Sequence, residues 1–343
     1  MAVSQVGDNR VPEHLDMIKW RGLAEKLDVF NASSAGAITL MSDPAFLATN
    51  PADYYEDVRF KTIASLDARA NTAATGTITS LKLETLEGAS VLQDRSLGPV
   101  EIADGFWRHT KATPAQVASN LGNQFAQAQL QALRNNAIAI AVGAATNAYS
   151  AAHYTDNTPG AATGARVPFT AAIAEGMLND MADARDDMLV WVMPSIVFSN
   201  LITANLAYTS LDTVAGSVLN KGMAYSFMGL PILVVDAPAL TTEMTSSYYT
   251  KYGVLLMGAG AVNSRIVFDD PTETDRTITT TSKITTYRGQ YGVDFSVQGA
   301  KWDITNGSKN PTDATLATAT NWDTDGEDHR EFPIVLNLVN SIA

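Results

Sequence analysis

The chain has 343 residues and no cysteine. Disulfides, thiolate metal sites and cysteine nucleophiles are therefore excluded, and stability must come from packing, hydrogen bonding and association. Histidine is scarce. His14, His109, His153 and His329 are scattered without the spacing of a metal-ligand set. Charge is sparse too: 17% of residues are Asp, Glu, Lys or Arg, against about 25% in an ordinary soluble protein. A monomer needs charge to stay dispersed, whereas a subunit that buries much of its outside against copies of itself needs less. Long apolar runs are missing. No stretch approaches the roughly 18 apolar residues of a membrane span, and the polar residues 1–10 lack the apolar core of a secretory leader. The expectation is a soluble protein made and used in a cytoplasm.

Apolar residues are plentiful, at 46%, enough for a sizeable core. Domains run to roughly 100–200 residues, which predicts one large or two interlocked domains here. The formal net charge is −13. Gripping DNA phosphates depends on Lys and Arg displacing counterions, so this balance argues against a DNA reader. It suits a container for DNA, whose wall must not trap its contents, and equally an ordinary soluble enzyme.

Residues 1–52 read as an arm, interrupted at Val11-Pro12 and Asp43-Pro44 and ended by Asn50-Pro51. A short helix is predicted over 12–27, with Leu15, Ile18 and Leu23 on one side. With so few apolar anchors, the arm is expected to become ordered on a partner surface. Residues 53–112 read as β structure. Val58, Phe60 and Ile63 lie in one strand, and 77–86 alternates through Ile78, Leu81, Leu83 and Leu86. A loop with Gly88, Asp94 and Arg95 leads to Gly98-Pro99 and a strand at 100–102, giving a long hairpin. Two-stranded hairpins are marginal alone, so this one is expected to lie on its own body or on a neighbour.

Thr113-Pro114-Ala115-Gln116 is a helix start in which three signals agree: a cap, a proline at the first helical position and a capping-box glutamine. The stretch to about Ala145 carries a stripe of Val117, Leu121, Phe125, Ala128 and Ala132. Such a helix spans roughly 45 Å, a spine rather than a compact element. A Gly/Ala/Thr/Pro-rich loop covers 146–168. A helix capped by Thr170 follows over 171–187, with Ile173, Met177, Leu178 and Met181 inward. Residues 189–193, 231–235 and 252–257 read as buried strands, and Pro194 opens a helix with Ile196, Val197, Leu201 and Ile202. Residues 188–264 thus look like an α/β unit. Threonine-rich 276–288 and alternating 291–302 (Tyr291, Val293, Phe295, Val297), divided at Gly289, predict a second long hairpin. Residues 303–331 are polar and acidic, and 332–342 fit a last strand. No repeat of fixed period is visible.

The chemical motifs favour bland readings. Gly258-Ala259-Gly260 lacks the third glycine of a dinucleotide turn, where Asn263 stands, and reads as a tight strand exit. Asn321-x-Asp323-x-Asp325-Gly326 resembles half a calcium loop, but Phe332 stands where a bidentate glutamate belongs. Asp186 and Asp187 beside Arg185 fit a solvated helix end better than an acid/base pair. Trp107 fits packing at the hairpin root or a contact between subunits. Lys82 fits a solvated strand better than a covalent crosslink to a neighbour's asparagine. No catalytic, cofactor-binding or metal residue is assigned, and no cofactor is expected.

The order of these elements resembles the major capsid proteins of tailed bacteriophages, the Hong Kong 97-type fold. Local phrases are similar as well: Trp191-Val192-Met193-Pro194-Ser195, then Gly229-Leu230-Pro231-Ile232-Leu233-Val234-Val235-Asp236, then Leu255-Leu256-Met257 leading to Gly260-Ala261-Val262, and Arg288-Gly289-Gln290-Tyr291-Gly292-Val293 running to Gly299-Ala300-Lys301-Trp302. The resemblance implies an α+β capsid fold. It would comprise an N-terminal arm (1–52), an extended loop (53–112), a peripheral domain with the spine helix (113–187 and 265–303), an α/β axial domain (188–264) and a C-terminal segment (304–343). It implies self-assembly into pentamers and hexamers of an icosahedral virion shell around double-stranded phage DNA. The DNA would be enclosed without sequence-specific binding, and no membrane would be involved. Assembly would occur in the host cytoplasm, with scaffolding, portal and decoration proteins as possible partners. The resemblance does not place the acidic segment 303–331.

Two other readings compete. One is an encapsulin-like nanocompartment shell of the same fold. The other is an α/β enzyme built on 188–264, whose strands carry almost no ionisable residues to converge on a pocket.

Overall fold

The computed structural model describes residues 10–43, 46, 54–60, 85–103, 113–158, 167–204, 208–209, 225–243, 250–278, 283–325 and 328–340. In chain order, helix α1 (Arg10–Ser33) leads to strands β1 (Ile38–Ser42), β2 (Tyr54–Phe60) and β3 (Thr85–Ala103). Helices α2 (Pro114–Asn147) and α3 (Ser150–His153) follow, then β4 (Tyr154–Asp156) and α4 (Ala171–Asp180). Next come β5 (Met188–Met193), α5 (Ser195–Thr203), β6 (Tyr208–Thr209), β7 (Tyr225–Phe227), β8 (Leu230–Val234) and β9 (Thr241–Glu243). The chain closes with β10 (Thr250–Gly258), β11 (Val262–Asp269), β12 (Glu273–Ile278), β13 (Lys283–Val297), β14 (Ala300–Trp302), α6 (Asp313–Leu316), β15 (Trp322–Thr324) and β16 (Ile334–Asn340).

The spine helix α2 begins as its sequence dictates. Gln116 N–H donates to Thr113 Oγ1 at 3.3 Å, and Thr113 N–H donates to Gln116 Oε1 at 2.9 Å. Its 34 residues span about 51 Å. The buried stripe differs slightly from the expected one. Leu121 and Phe125 are in it, but Ala118, Ala126, Gln129 and Leu133 complete it, while Ala128 faces solvent. From Leu133 onward little of the helix reaches solvent, because it lies against parts of both sheets.

In the first sheet, parallel to β11, β1 forms one edge, and β13 runs antiparallel to β11, β3 and β12. Two expectations fail here. Residues 87–99 are not a loop: β3 is one strand of 19 residues. Likewise β13 runs unbroken through Gly289, and its hairpin partner is β12 rather than 291–302. The second sheet runs β4-β16-β10-β5-β8-β7-β6, with β9 on β10. It draws β4 and β16 from outside 188–264, while β11, which starts inside that range, belongs to the first sheet. Its central strands are buried on both faces, hence the unbroken apolar runs at Met188–Met193 and 254–257. One face meets α2. The other packs on α4 and α5 through Met177, Leu178, Val197 and Leu201. The helix predicted over 171–187 stops at Asp180 and tightens into a 3₁₀ turn at Ala182–Asp187.

The arm also departs from expectation. Over Arg10–Ser33 it is helical and lies on its own chain, with Leu15, Leu23, Leu27 and Phe30 buried. Close approach to the spine depends on Gly122, where a Cβ would stand 2.8 Å from the Leu15 carbonyl oxygen and 3.1 Å from Ile18. A Cβ at Gly22, on the opposite side of that contact, would meet nothing nearer than 3.6 Å. Gly122→Ala is therefore expected to destabilise the chain by about 1–3 kcal/mol. Gly22→Ala is expected to stabilise it by about 0.5–1 kcal/mol through helix propensity. Chemical denaturation of the two variants checks the contrast.

Candidate assembly surface

The β3–β13 ladder carries a projection at each end. At one end, β3 continues past β13 and pairs with β2 alone, from Tyr54↔Val91 at the root to Phe60↔Thr85. Burial fades along this ribbon: Val91 is 0% exposed, while Thr85, Glu87 and Glu56 are exposed and Val58 is 61% exposed. At the other end, β12 pairs with β13 and is exposed along its whole length, with Ile278 75% exposed. A folded chain that holds apolar side chains out on two strand extensions has surface suited to a partner.

The ribbon root is clamped by polar contacts. Gln93 Nε2 donates to the Pro311 carbonyl at 2.8 Å and to Asp313 Oδ1 at 2.9 Å. Asn136 Nδ2, on the spine, donates to Gln93 Oε1 at 3.2 Å and to Asp313 Oδ1 at 3.0 Å. Arg95 pairs with Asp313, and its Nε donates to the Tyr291 hydroxyl at 3.1 Å. Burial alone would raise the Asp313 carboxyl, but Arg95, Gln93 and Asn136 outweigh it and hold it below the ordinary value. The start of the acidic segment is thus a brace joining β3, β13 and the spine. Its later part adds β15, which pairs with β14 just ahead of the segment, with Trp302 and Trp322 buried edge to face at 5.1 Å.

Nearer the ribbon, Ser90 Oγ donates to the buried Asp294 Oδ1 at 2.6 Å. Arg265 sits opposite Asp294 on β11 and places its guanidinium 4.1 Å from the centre of the Phe46 ring, which stands edge to face with Tyr55 of β2.

The other singled-out residues do not converge on a chemical site. Gly258–Ala261 is the tight exit between β10 and β11. Gly260 has φ +63°, and its N–H donates to the Gly36 carbonyl at 2.9 Å. Asn321 is turned inward, donating to the Thr315 carbonyl at 2.9 Å, so the half calcium loop is not assembled as one. His14 is exposed. The structure does bring His153 and His329 together, with ring centres 5.4 Å apart, a meeting their separation in sequence conceals. His153 is wholly buried against Tyr149 and Phe332, and burial together with His329 draws it down to about 4. Asp186 and Asp187 line an open groove of about 730 Å³ with Asp183, Asp328, Arg330 and Glu331. Among the described residues, no group of three or more His, Cys, Asp or Glu is placed to hold a metal ion. No described helix is long and apolar enough to cross a membrane. Trp107, His109 and Lys82 lie outside the described residues, as does most of the strand predicted over 77–86.

A spine helix beside a β ladder with projecting ends, joined to a mostly buried α/β sheet, defines the phage capsid fold of the Hong Kong 97 type. The capsid of Ralstonia phage GP4 superposes with TM-score 0.56 at 10% identity, over 91% of this chain and 89% of that one. The capsid of cyanophage Pam1 superposes with TM-score 0.54 at 13% identity, over 89% and 88%. A chain of Mycobacterium phage Adephagia gives TM-score 0.51 at 10% identity, over 89% of each. No curated protein sequence matches. Residues 17–335 match the Gp13-like family, described as major capsid protein 13-like, and the chain belongs to that family. It is a shell-forming structural protein of a phage virion. These findings lend no support to the nanocompartment reading.

Burial pushes the Asp294 carboxyl up to about 6, against the opposing pull of Ser90 and Arg265. The folded chain therefore holds this proton more tightly than the unfolded one, in which an aspartate ionises near 3.8. The corresponding stability is complete below about pH 4, is lost as pH rises to about 6, and does not return above it. Asp294→Asn keeps an acceptor for Ser90. It is expected to exceed the parent in stability at neutral pH by up to about 3 kcal/mol, and to match it near pH 4. Urea denaturation at both pH values checks this.

Proposed function

We propose that the chain tiles pentamers and hexamers of an icosahedral shell that encloses double-stranded DNA without reading it, and that its role is mechanical rather than enzymatic. The observation that carries this is the pair of strand projections, which hold apolar side chains such as Val58 and Ile278 away from their own core. Laid across neighbouring copies, they add buried area to contacts of the standard size, about 1,600 Å² each. Several modest contacts per subunit, summed over a closed lattice, give a shell that is stable yet corrects errors while it forms. The net charge of −13 keeps the wall from adsorbing the packaged genome. In this reading the second sheet with α4 and α5 is the axial domain, and α2 with the first sheet is the peripheral domain. Scaffolding, portal and decoration proteins are the expected partners, and assembly takes place in the host cytoplasm.

Replacing 61–84 by a short Gly/Ser linker shortens the connection between β2 and β3 and leaves the clamp at Gln93, Arg95 and Asp313 intact. The variant is expected to be soluble and folded by circular dichroism, and to form no shells by negative-stain electron microscopy. Normal-sized particles from this variant would refute the proposal.

A further inference from the structure

The contact between α1 and the end of β11 is unusual in its chemistry. Lys19 is completely buried, and its Nζ donates to Asp269 Oδ1 at 2.8 Å, joining residues 250 positions apart. The other oxygen of the same carboxyl, Oδ2, accepts from Trp20 Nε1 at 3.0 Å. A second carboxylate stands beside the pair: Asp16 Oδ1 is 3.7 Å from Lys19 Nζ. Asp16 is buried and fixed, taking the Thr272 hydroxyl on Oδ1 at 2.6 Å and the Thr272 N–H on Oδ2 at 2.9 Å. The Trp20 ring closes the site, with its centre 5.5 Å from Lys19 Nζ.

A buried amine, a carboxyl in contact with it, a donor on the far carboxyl oxygen and a second carboxylate to carry protons together make a site for amide formation. We propose that Lys19 and Asp269 condense spontaneously to an isopeptide bond that fastens α1 covalently to β11 within one chain. Nothing in this step depends on shell formation, so it goes beyond the function proposed above.

The step balances without a co-reactant. One proton passes from Lys19 Nζ to Asp269 Oδ1, directly or through Asp16, turning the ion pair into amine and carboxylic acid. Burial opposes the charge on the Asp269 carboxyl, and this lowers the cost of that transfer. Burial, helped by the adjacent Asp16, also holds the Asp269 carboxyl above its ordinary value despite Lys19 and Trp20. The Nζ lone pair attacks Cγ, and the Nζ–Cγ bond forms. Negative charge gathers on Oδ2, where the Trp20 N–H already points, as oxyanion donors do. Asp16 takes a second proton from Nζ and returns it to the Oδ1 hydroxyl. The Cγ–Oδ1 bond breaks, and Oδ1 leaves as water. Fixing the amine 2.8 Å from the carboxyl supplies the proximity that a reaction between free molecules lacks.

The test is the denatured intact mass of the full-length chain, taken at purification and after prolonged incubation, followed by peptide mapping. The wild type is expected to lose the mass of one water molecule and to yield a branched peptide joining residues 19 and 269. Lys19→Arg keeps the positive charge but is expected to retain full mass. Asp16→Asn is expected to slow the mass loss more than tenfold while leaving the chain folded. A wild-type chain that keeps its full mass overturns the proposal, whatever the variants do, because the contact is then an ordinary ion pair. Water loss without the branched peptide overturns it as well. Particle formation by Lys19→Arg is a separate readout, so failure of the crosslink and failure of the shell reading are distinguishable.

Discussion

The pairing of β3 with β13, from Val91↔Phe295 to Ala103↔Ile284, limits where everything else can stand. A ladder of this length cannot be buried throughout by one small core. Its middle therefore lies on the spine helix and its ends project. The middle must be rigid for the ends to be aimed, and rigidity comes from satisfied polar groups as much as from apolar burial. Gln93, Arg95, Asn136 and Asp313 form one network across three elements, so that displacing any element strands buried donors, each costing roughly 1–3 kcal/mol. Apolar contacts are tolerant of small slips, whereas a hydrogen-bonded brace is not. That difference explains why a polar segment, rather than another apolar strand, sits at the root of the ribbon.

The same constraint accounts for the local oddities of the ladder. The register shifts between Tyr287 and Gly289. Facing that shift, Gly98 adopts φ +92°, and a Cβ there would lie 2.8 Å from the Tyr287 carbonyl oxygen. The edge of β13 that β3 leaves free then serves different neighbours on either side of the shift: β12 over Lys283–Arg288 and β11 over Tyr291–Val297. A single strand can thereby belong to the body at one end and to a projection at the other.

Local chemistry made some elements legible in the sequence. The start of α2 is written in four consecutive residues, and the buried strands at Met188–Met193 and 254–257 are unbroken apolar runs. What depended on distant partners was not legible. Gly88, Asp94, Arg95 and Gly98-Pro99 carry turn chemistry, so 87–99 read as a loop. In the fold the Asp94 N–H is taken by Asn310 Oδ1 at 2.8 Å and Arg95 by Asp313, and these contacts hold the segment extended. The acidic segment could not be placed for the same reason, since its partners lie up to 220 positions away. Of the assembly surface, a strand holding Val58 and Phe60 was foreseeable from the sequence, while the root and register of the ribbon were not, and most of the alternating stretch 77–86 lies outside the described residues.

The arm teaches the converse lesson. Counting apolar residues in 12–27 gave few anchors, because such a count leaves out polar side chains such as Lys19 and Asp16. Both are buried, and Asp269 and Thr272 supply the charge and hydrogen bonds that make this affordable. The described part of the arm is thus held by its own chain through polar groups the helical pattern places on its inner face. In the proposed function, dependence on neighbouring copies is left to the strand projections, where Val58 and Ile278 are exposed. A subunit arranged in this way can fold before it assembles, and the shell contacts then act on a finished body instead of completing an unfinished one.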